Sequence, residues 1–122
     1  MVVRDETIGV ELGHDVALAR NAWARLRGLM LRRRLGPGQG LRIEPCSSIH
    51  MMFMLFPIDA VFYDRDGRVT KVVSGLRPWF GVAASGGSRG VLELPPGAAL
   101  AVAAGHQLTF DQHQPGERAG GD

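Results

Sequence analysis

The fold is decided by the stretch Ile58-Asp-Ala-Val-Phe-Tyr-Asp-Arg-Asp-Gly-Arg-Val-Thr-Lys-Val-Val73. Its two ends are rich in β-branched and aromatic residues, which favour strands. Its middle, Asp64-Arg-Asp-Gly67, combines the aspartate and glycine that are typical of a tight turn. The same aspartates lack the further oxygen ligands and the final glutamate of a calcium loop. The stretch therefore predicts an antiparallel hairpin.

Other strands are predicted on the amino-terminal side of this hairpin. Ile8, Val10 and Leu12 alternate with other residues, and Val16 and Leu18 follow a possible turn, which predicts a first hairpin at the start of the chain. A short alternating segment surrounds Arg42. The apolar run at positions 51–56, Met-Met-Phe-Met-Leu-Phe, is β-prone and leads through a proline into the central hairpin.

One helix is predicted between the first strands and the segment around Arg42. Asn21 can cap it, and its apolar residues recur at 3.6-residue spacing on one face. We expect it to end near Gly36-Pro37-Gly38. The residues of that apolar face are Trp23, Leu26, Leu29 and Met30.

Strand signals return after a glycine-rich passage at positions 83–90, which we interpret as a flexible surface loop. The predicted strands are Val91-Leu-Glu-Leu94, Leu100-Ala-Val102 and Leu108-Thr-Phe110. Glu93 is expected to be solvated, on the face opposite to its leucine neighbours. Short strands with a single helix predict a mainly β fold, an antiparallel sandwich or barrel-like single domain. The domain is expected to span residues 1–111, with a disordered tail at 112–122.

Composition limits the possible functions. The chain has 122 residues, 45% of them apolar and 21% charged, which is ordinary for one globular domain. No apolar run is long enough to span a membrane, the start lacks an export signal, and the single cysteine, Cys46, fits a reducing compartment. We therefore predict a soluble, cytoplasmic protein without a cofactor or a resident metal.

The basic residues are thirteen arginines and one lysine, but the net charge is only +2. Seven arginines and no acid lie between Arg20 and Arg42. Trp23 is the only aromatic residue near these arginines, and no nucleic-acid-reading motif is present. We expect no nucleic-acid ligand, and a monomer or a weak homodimer.

Four motifs in order resemble the domain-of-unknown-function family 192, a group of small bacterial and archaeal domains. The similarity covers roughly residues 15–110, and it implies a mainly β sandwich-type domain without an established reaction. The Cys-x-x-x-His form of this chain also implies an association with secretion or pilus genes. The chain departs from the family pattern at Gly105-His106, where many members have Gly-Asp. The matching residues are Arg27-Gly-Leu-Met30, Phe53-Met54 with Pro57-Ile-Asp-Ala-Val-Phe-Tyr-Asp64, Asp66-Gly67, and Val91-Leu-Glu-Leu94 with Gly97.

Several residues are candidates for a site. Cys46 and His50 have the spacing of a thiol and a base, or of two metal ligands, although a buried thiol and a core histidine are the simpler alternative. Asp59 interrupts an apolar segment, so it is either a general base or a ligand contact with His50 or Arg77 as partner, or a structural carboxylate that accepts backbone amides. The loop that carries Trp79 is the last of these site candidates.

Two functional hypotheses follow. The preferred one is a noncatalytic binding or accessory module, which uses Asp59, His50 and the loop around Trp79 to hold a protein or a small polar ligand. The alternative is an enzyme or metal-dependent domain in which His50, Asp59 and Cys46 meet in one pocket.

Overall fold

The computed structural model describes residues 1–21, 24 and 34–112, which contain ten β-strands. In chain order the strands are β1 (Val2–Asp5), β2 (Val10–Gly13), β3 (Asp15–Ala19), β4 (Gln39–Ile43), β5 (Ser48–His50), β6 (Ile58–Tyr63), β7 (Val69–Leu76), β8 (Val82–Ala84), β9 (Gly90–Leu94) and β10 (Leu108–Asp111).

The strands form three sheets. One has five strands in the order β3-β4-β9-β6-β7, one has three in the order β10-β1-β2, and β5 pairs with β8 alone. Every pairing is antiparallel except that of β3 with β4. The predicted mainly β, sandwich-like single domain is confirmed.

The central strands β6 and β9 of the five-stranded sheet are buried on both faces. In β6, Ile58, Ala60 and Phe62 belong to one hydrophobic cluster, whereas Val61 and Tyr63 belong to the other. Because successive side chains of a strand point to opposite faces, this sheet separates the two clusters. β6 is therefore buried along its whole length and apolar except for Asp59, as is typical of a strand in a sheet covered on both sides.

Each cluster is closed by a different layer. On one face Val3, Leu12 and Leu108 of the three-stranded sheet complete the cluster. On the other face Ile49 of β5 and Ala83 of β8 complete it.

Glu93 lies on the central strand of this sheet, with β4 on one side and β6 on the other. Its side chain is fully buried. The prediction of a solvated glutamate is therefore wrong, because β9 has no open face.

The central hairpin is confirmed, since β6 pairs with β7. Asp64 organises the turn: its Oδ1 accepts hydrogen bonds from the backbone N–H groups of Asp66, at 2.9 Å, and Arg68, at 3.0 Å. Gly67 supplies the left-handed φ of +81° that closes it. These aspartates perform turn chemistry, as expected.

The opening hairpin is built differently from the prediction. β2 and β3 are consecutive, but they belong to different sheets: β2 pairs with β1, and β3 pairs in parallel with β4. The segment at His14 is thus a crossover between sheets rather than a hairpin turn. The backbone N–H groups of His14 and Asp15 both donate to the Gly38 carbonyl, at 2.9 Å, and bring the chain to β4.

Two further strand predictions are wrong. Residues 51–57 are irregular, because turn hydrogen bonds such as Met54 N–H to Met51 O, at 3.0 Å, replace strand pairing. Residues 96–101 form turns instead of a strand, with Val102 N–H donating to Ala99 O at 3.0 Å. The glycine-rich passage at positions 83–90 begins inside a strand, because β8 covers residues 82–84.

The helix predicted after Asn21 lies outside the described residues except for one contact at its start. Ala24 N–H donates to Asn21 Oδ1 at 2.8 Å, the bond that a capping side chain makes. The predicted disordered tail also falls outside the described residues beyond position 112. Among the residues that are described, no helix is long and apolar enough to cross a bilayer.

Candidate functional site

Two loops present a group of exposed apolar side chains, which we call the aromatic face. The first loop spans residues 51–56 and is anchored by Met51 and Met54, both fully buried in the core. The second loop, which we call the aromatic loop, spans residues 77–81 and leads into Val82, the first residue of β8. The aromatic face consists of Met52, Phe53, Trp79, Phe80 and Val82, whose exposed fractions run from 46% to 83%.

The two loops contact each other through rings and backbone. The Phe53 and Trp79 rings pack edge to face, with centroids 5.3 Å apart and an interplanar angle of 64°. Trp79 N–H donates to Met51 O at 2.8 Å, and Met51 N–H donates to Gly81 O at 2.9 Å. The aromatic pair therefore sits on two loops that are fixed to each other.

Phe53 and Trp79 also share an unusual backbone conformation. Their φ angles are +70° and +67°, the left-handed region that non-glycine residues rarely adopt. Such residues are strained by an amount on the order of 1–3 kcal/mol and persist where the surroundings hold them. The pair is held by the inter-loop hydrogen bonds while its rings stay about half exposed.

Basic residues surround the aromatic face. His50 of β5 is opposite Val82 of β8, so the two side chains point to the same side. Arg77 is the first residue of the aromatic loop and is exposed. Residues 45–58 and 67–92 contain no aspartate or glutamate, so the loops carry only positive charge.

Cys46 and His50 line one cavity of about 450 Å³. The Cys46 thiol donates to Ser48 O at 3.1 Å. The Ser88 hydroxyl, which also lines the cavity, donates to Ser85 O at 2.6 Å and lies 3.4 Å from Cys46 O. The lining residues are Ile43, Pro45, Cys46, Ser47, Ser48, Ile49, His50 and Ser88.

Asp59 is placed elsewhere and does not line that cavity. It is only 1% exposed, and backbone amides surround its carboxylate. Oδ1 accepts from Gly75 N–H at 2.9 Å, and Oδ2 accepts from Gly97 N–H at 2.9 Å and Ala99 N–H at 3.2 Å. These bonds tie β6 to β7 and to the turn after β9, which is the structural arrangement considered from the sequence.

The structure thus divides the five predicted site residues into three groups. Cys46 and His50 share a cavity, Trp79 and Arg77 share the aromatic loop, and Asp59 is enclosed by amides. In the described part of the chain, no three histidine, cysteine or acidic side chains are grouped to hold a metal ion.

A second polar cluster was not predicted from the sequence. The Glu44 carboxylate accepts hydrogen bonds from Arg42 Nη2 at 2.6 Å, from the Tyr63 hydroxyl at 2.8 Å and from Arg89 Nε at 3.0 Å. Burial alone would raise the pKa of Glu44, but hydrogen bonds from Arg89, Tyr63 and Arg42 hold it below its usual value. The sequence signal for this cluster was the charged Arg42 between the apolar residues Leu41 and Ile43 of β4.

Phe53 was also missed as a surface residue, because the run at positions 51–56 was interpreted as a strand. The missing alternation of polar and apolar residues in that run could have indicated a loop with both buried and exposed methionines.

With the geometry described, comparison with known proteins places the chain in a family. The sequence model of the family DUF192, described as "Uncharacterized ACR", matches residues 4–110. The chain belongs to DUF192. The resemblance found in its motifs is confirmed, and no curated protein matches the sequence.

Two solved structures resemble this DUF192 protein. A protein of unknown function from Novosphingobium aromaticivorans is 27% identical, with a TM-score of 0.68 over 77% of this chain and 74% of that one. A protein from Sinorhizobium meliloti, described as a "putative transcription regulator", is 26% identical, with a TM-score of 0.73 over 88% of this chain and 89% of that one. These similarities support the fold.

Proposed function

We propose that this DUF192 protein is a noncatalytic binding module that holds a polypeptide partner on its aromatic face. The observation that carries the proposal is the pair Phe53 and Trp79, which keep strained left-handed backbones while their rings remain about half exposed. Strain of this kind concentrates at functional sites. Exposed aromatic residues are also the side chains that contribute most at protein interfaces.

The preorganisation of the face supports a binding role. The inter-loop hydrogen bonds fix the two rings before any partner arrives, and a rigid surface loses little conformational entropy on binding. The buried methionines Met51 and Met54 hold the first loop from below. A partner would therefore meet a surface that is already shaped.

Charge identifies the chemistry of the partner. The loops that build the face carry Arg77 and His50 but no acid. A complementary segment would place an aromatic or aliphatic side chain against the rings and an aspartate or glutamate near Arg77. We therefore expect an acidic, apolar peptide segment and no nucleic acid. The association with secretion or pilus systems, which the family resemblance implies, stays a prediction about where such a partner is found.

The enzyme alternative is less well supported. It requires His50, Asp59 and Cys46 in one pocket, yet Asp59 already accepts three backbone amides and lies outside the cavity that Cys46 and His50 line. The mixed lining of that cavity, in which serine hydroxyls and His50 stand beside Ile43 and Ile49, instead suits a small ligand with polar groups as a secondary occupant.

A peptide selection tests the proposal. Random peptides displayed against the full-length protein should yield sequences with an apolar anchor beside aspartate or glutamate. Their affinity, measured by fluorescence anisotropy, should fall at least tenfold with Trp79→Gly or Phe53→Gly. Glycine accepts the left-handed φ without strain, so these changes remove a ring and leave the loop conformation available.

Leu100→Ala is the matched control, because Leu100 is 86% exposed and lies outside the aromatic face. It should leave peptide affinity unchanged. Arg77→Gln should weaken binding several-fold and reduce its salt dependence. Selected peptides that bind the wild type, Trp79→Gly and Phe53→Gly equally well would contradict the proposal, as would a face buried in a dimer of this chain.

A further inference from the structure

Four strands bring their ends together at one end of the five-stranded sheet. β3 and β4 are parallel, so their carboxyl ends are neighbours, and Glu44 N–H donates to Ala19 O at 3.1 Å. β9 starts beside them, and the Arg89 N–H donates to the carbonyl of Tyr63, the last residue of β6, at 2.8 Å. Arg20, Glu44, Tyr63 and Arg89 therefore converge from segments that are distant in the sequence.

The inner part of this cluster is rigid. The Arg42 guanidinium carbon lies 3.7 Å from the centroid of the Phe110 ring, and Arg42 Nε donates to the Tyr63 hydroxyl at 2.8 Å. Glu44 accepts from Arg42, Tyr63 and Arg89. The single carboxylate is thus fully used in holding the arginines in place.

Positive charge remains in excess around a small recess of about 150 Å³ at this sheet end. Three guanidinium groups and one carboxylate line it, which leaves a surplus of two positive charges. In the part of the chain that the structure describes, Arg20 and the terminal nitrogens of Arg89 donate no hydrogen bond. The lining residues are Leu18, Arg20, Arg42, Glu44, Pro45 and Arg89.

The size and charge of the recess select a ligand class. Its volume equals about five water molecules, which is enough for one phosphate group and below the roughly 300–1,000 Å³ of pockets for larger ligands. Guanidinium groups match the oxygens of phosphates and carboxylates in geometry. A surplus of two charges favours a dianion over the single charge of a carboxylate or a phosphodiester.

We propose that this recess binds a phosphate dianion, either free phosphate or a small phosphate monoester, between Arg20 and Arg89. Glu44 and Arg42 form the floor and position Arg89. This site is separate from the aromatic face, so either can exist without the other.

Calorimetric titration of the full-length protein at fixed ionic strength tests this proposal. Inorganic phosphate and glycerol phosphate should bind saturably, while acetate and dimethyl phosphate should bind at least tenfold more weakly. Equal affinity for the first two would identify free phosphate as a sufficient ligand, and tighter binding of glycerol phosphate would identify a monoester. Because the second pKa of a monoester is about 6, its affinity should fall roughly tenfold from about pH 7.5 to about pH 5.

Variants locate the binding. Arg89→Gln and Arg20→Gln should each weaken phosphate binding at least tenfold, and Arg20→Gln removes no contact within the described residues. Arg77→Gln, on the aromatic loop, is the control and should leave phosphate binding unchanged. The absence of saturable phosphate binding would overturn the proposal. An equal loss of phosphate affinity with Arg77→Gln would also overturn it, as would binding of duplex DNA if neither phosphate probe is bound.

Discussion

Replacing Asp59 by asparagine separates a structural carboxylate from a functional one. Both oxygens of the buried carboxylate accept backbone amides: Gly75 N–H on one side, and Gly97 N–H and Ala99 N–H on the other. Asparagine has one carbonyl oxygen and one NH₂ group. If the carbonyl takes the two donors of the turn, the NH₂ group faces the Gly75 N–H and leaves that donor without an acceptor.

The expected cost follows from these bonds. A buried donor without a partner costs about 1–3 kcal/mol, and the partly buried Gly75 N–H belongs in the lower half of that range, at about 1–2 kcal/mol. The two retained bonds weaken from charged to neutral, by about 1 kcal/mol each. We therefore expect Asp59→Asn to lower the free energy of unfolding by about 3–4 kcal/mol. Domains of this size have about 5–15 kcal/mol in total, so the variant should fold, with a Tm lowered by about 10–15 °C.

Urea denaturation followed by circular dichroism measures this change. The midpoint should fall with an unchanged slope, and peptide affinity under native conditions should be retained. Asp66→Asn is the matched control, since Asp66 is exposed, and it should change stability by less than about 0.5 kcal/mol. An Asp59→Asn protein as stable as the wild type but unable to bind peptide would refute the structural assignment and make Asp59 a ligand contact.

Three further predictions concern the cluster around Glu44. Burial raises the pKa of Tyr63, the only tyrosine in the sequence, far above 10.0. The ultraviolet absorbance of tyrosinate should therefore be absent at about pH 11 while the protein remains folded, and titration of the folded protein near pH 10.0 would contradict this. The folded pKa of Glu44 lies below 4.5, so its contribution to stability is complete above the unfolded pKa and is lost as the pH falls through the folded pKa. Glu44→Gln should therefore flatten the acid side of a plot of urea midpoint against pH, and an unchanged acid side would argue against the cluster. Gly90→Ala would place a Cβ 2.6 Å from Tyr63 Cζ and 2.8 Å from Ile43 O, and it should destabilise the fold by about 1–3 kcal/mol in urea denaturation. Gly86→Ala, whose Cβ would have no atom within 4 Å, should be close to neutral, and equal effects of the two changes would show that the sheet end is not tightly packed.

Local features of the fold were predictable from the sequence, and distant pairings were not. The hairpin of β6 and β7 is decided by adjacent residues, namely two β-prone runs and the turn that Asp64 organises. The parallel pairing of β3 with β4 joins segments separated by a long connection, and no local pattern specifies it. Glu93 was misplaced for a related reason, since its burial depends on the two strands that flank β9.

The candidate sites show the same limit. Trp79 and the pair of Cys46 with His50 were selected because unusual residue types stand out in the sequence. Phe53 was not selected, because its partner Trp79 is brought to it only by hydrogen bonds between two loops. Arg20 and Arg89 meet Glu44 only because strand ends converge in three dimensions.

The strained backbone at Phe53 and Trp79 argues that the aromatic face is not a by-product of core packing. The core is completed beneath it by Met51 and Met54, and the left-handed residues add their rings to the surface rather than to either hydrophobic cluster. A left-handed conformation costs about 1–2 kcal/mol for a residue with a Cβ, and glycine would avoid that cost. Against that gain, Trp79→Gly loses the ring contact, about 0.5–1.5 kcal/mol, and the burial of about half of the indole ring, about 2–3 kcal/mol, so stability should fall by about 1–3 kcal/mol. The strained backbone therefore holds in place a ring that stays about half exposed, and this arrangement is best explained by what the ring contacts outside the chain.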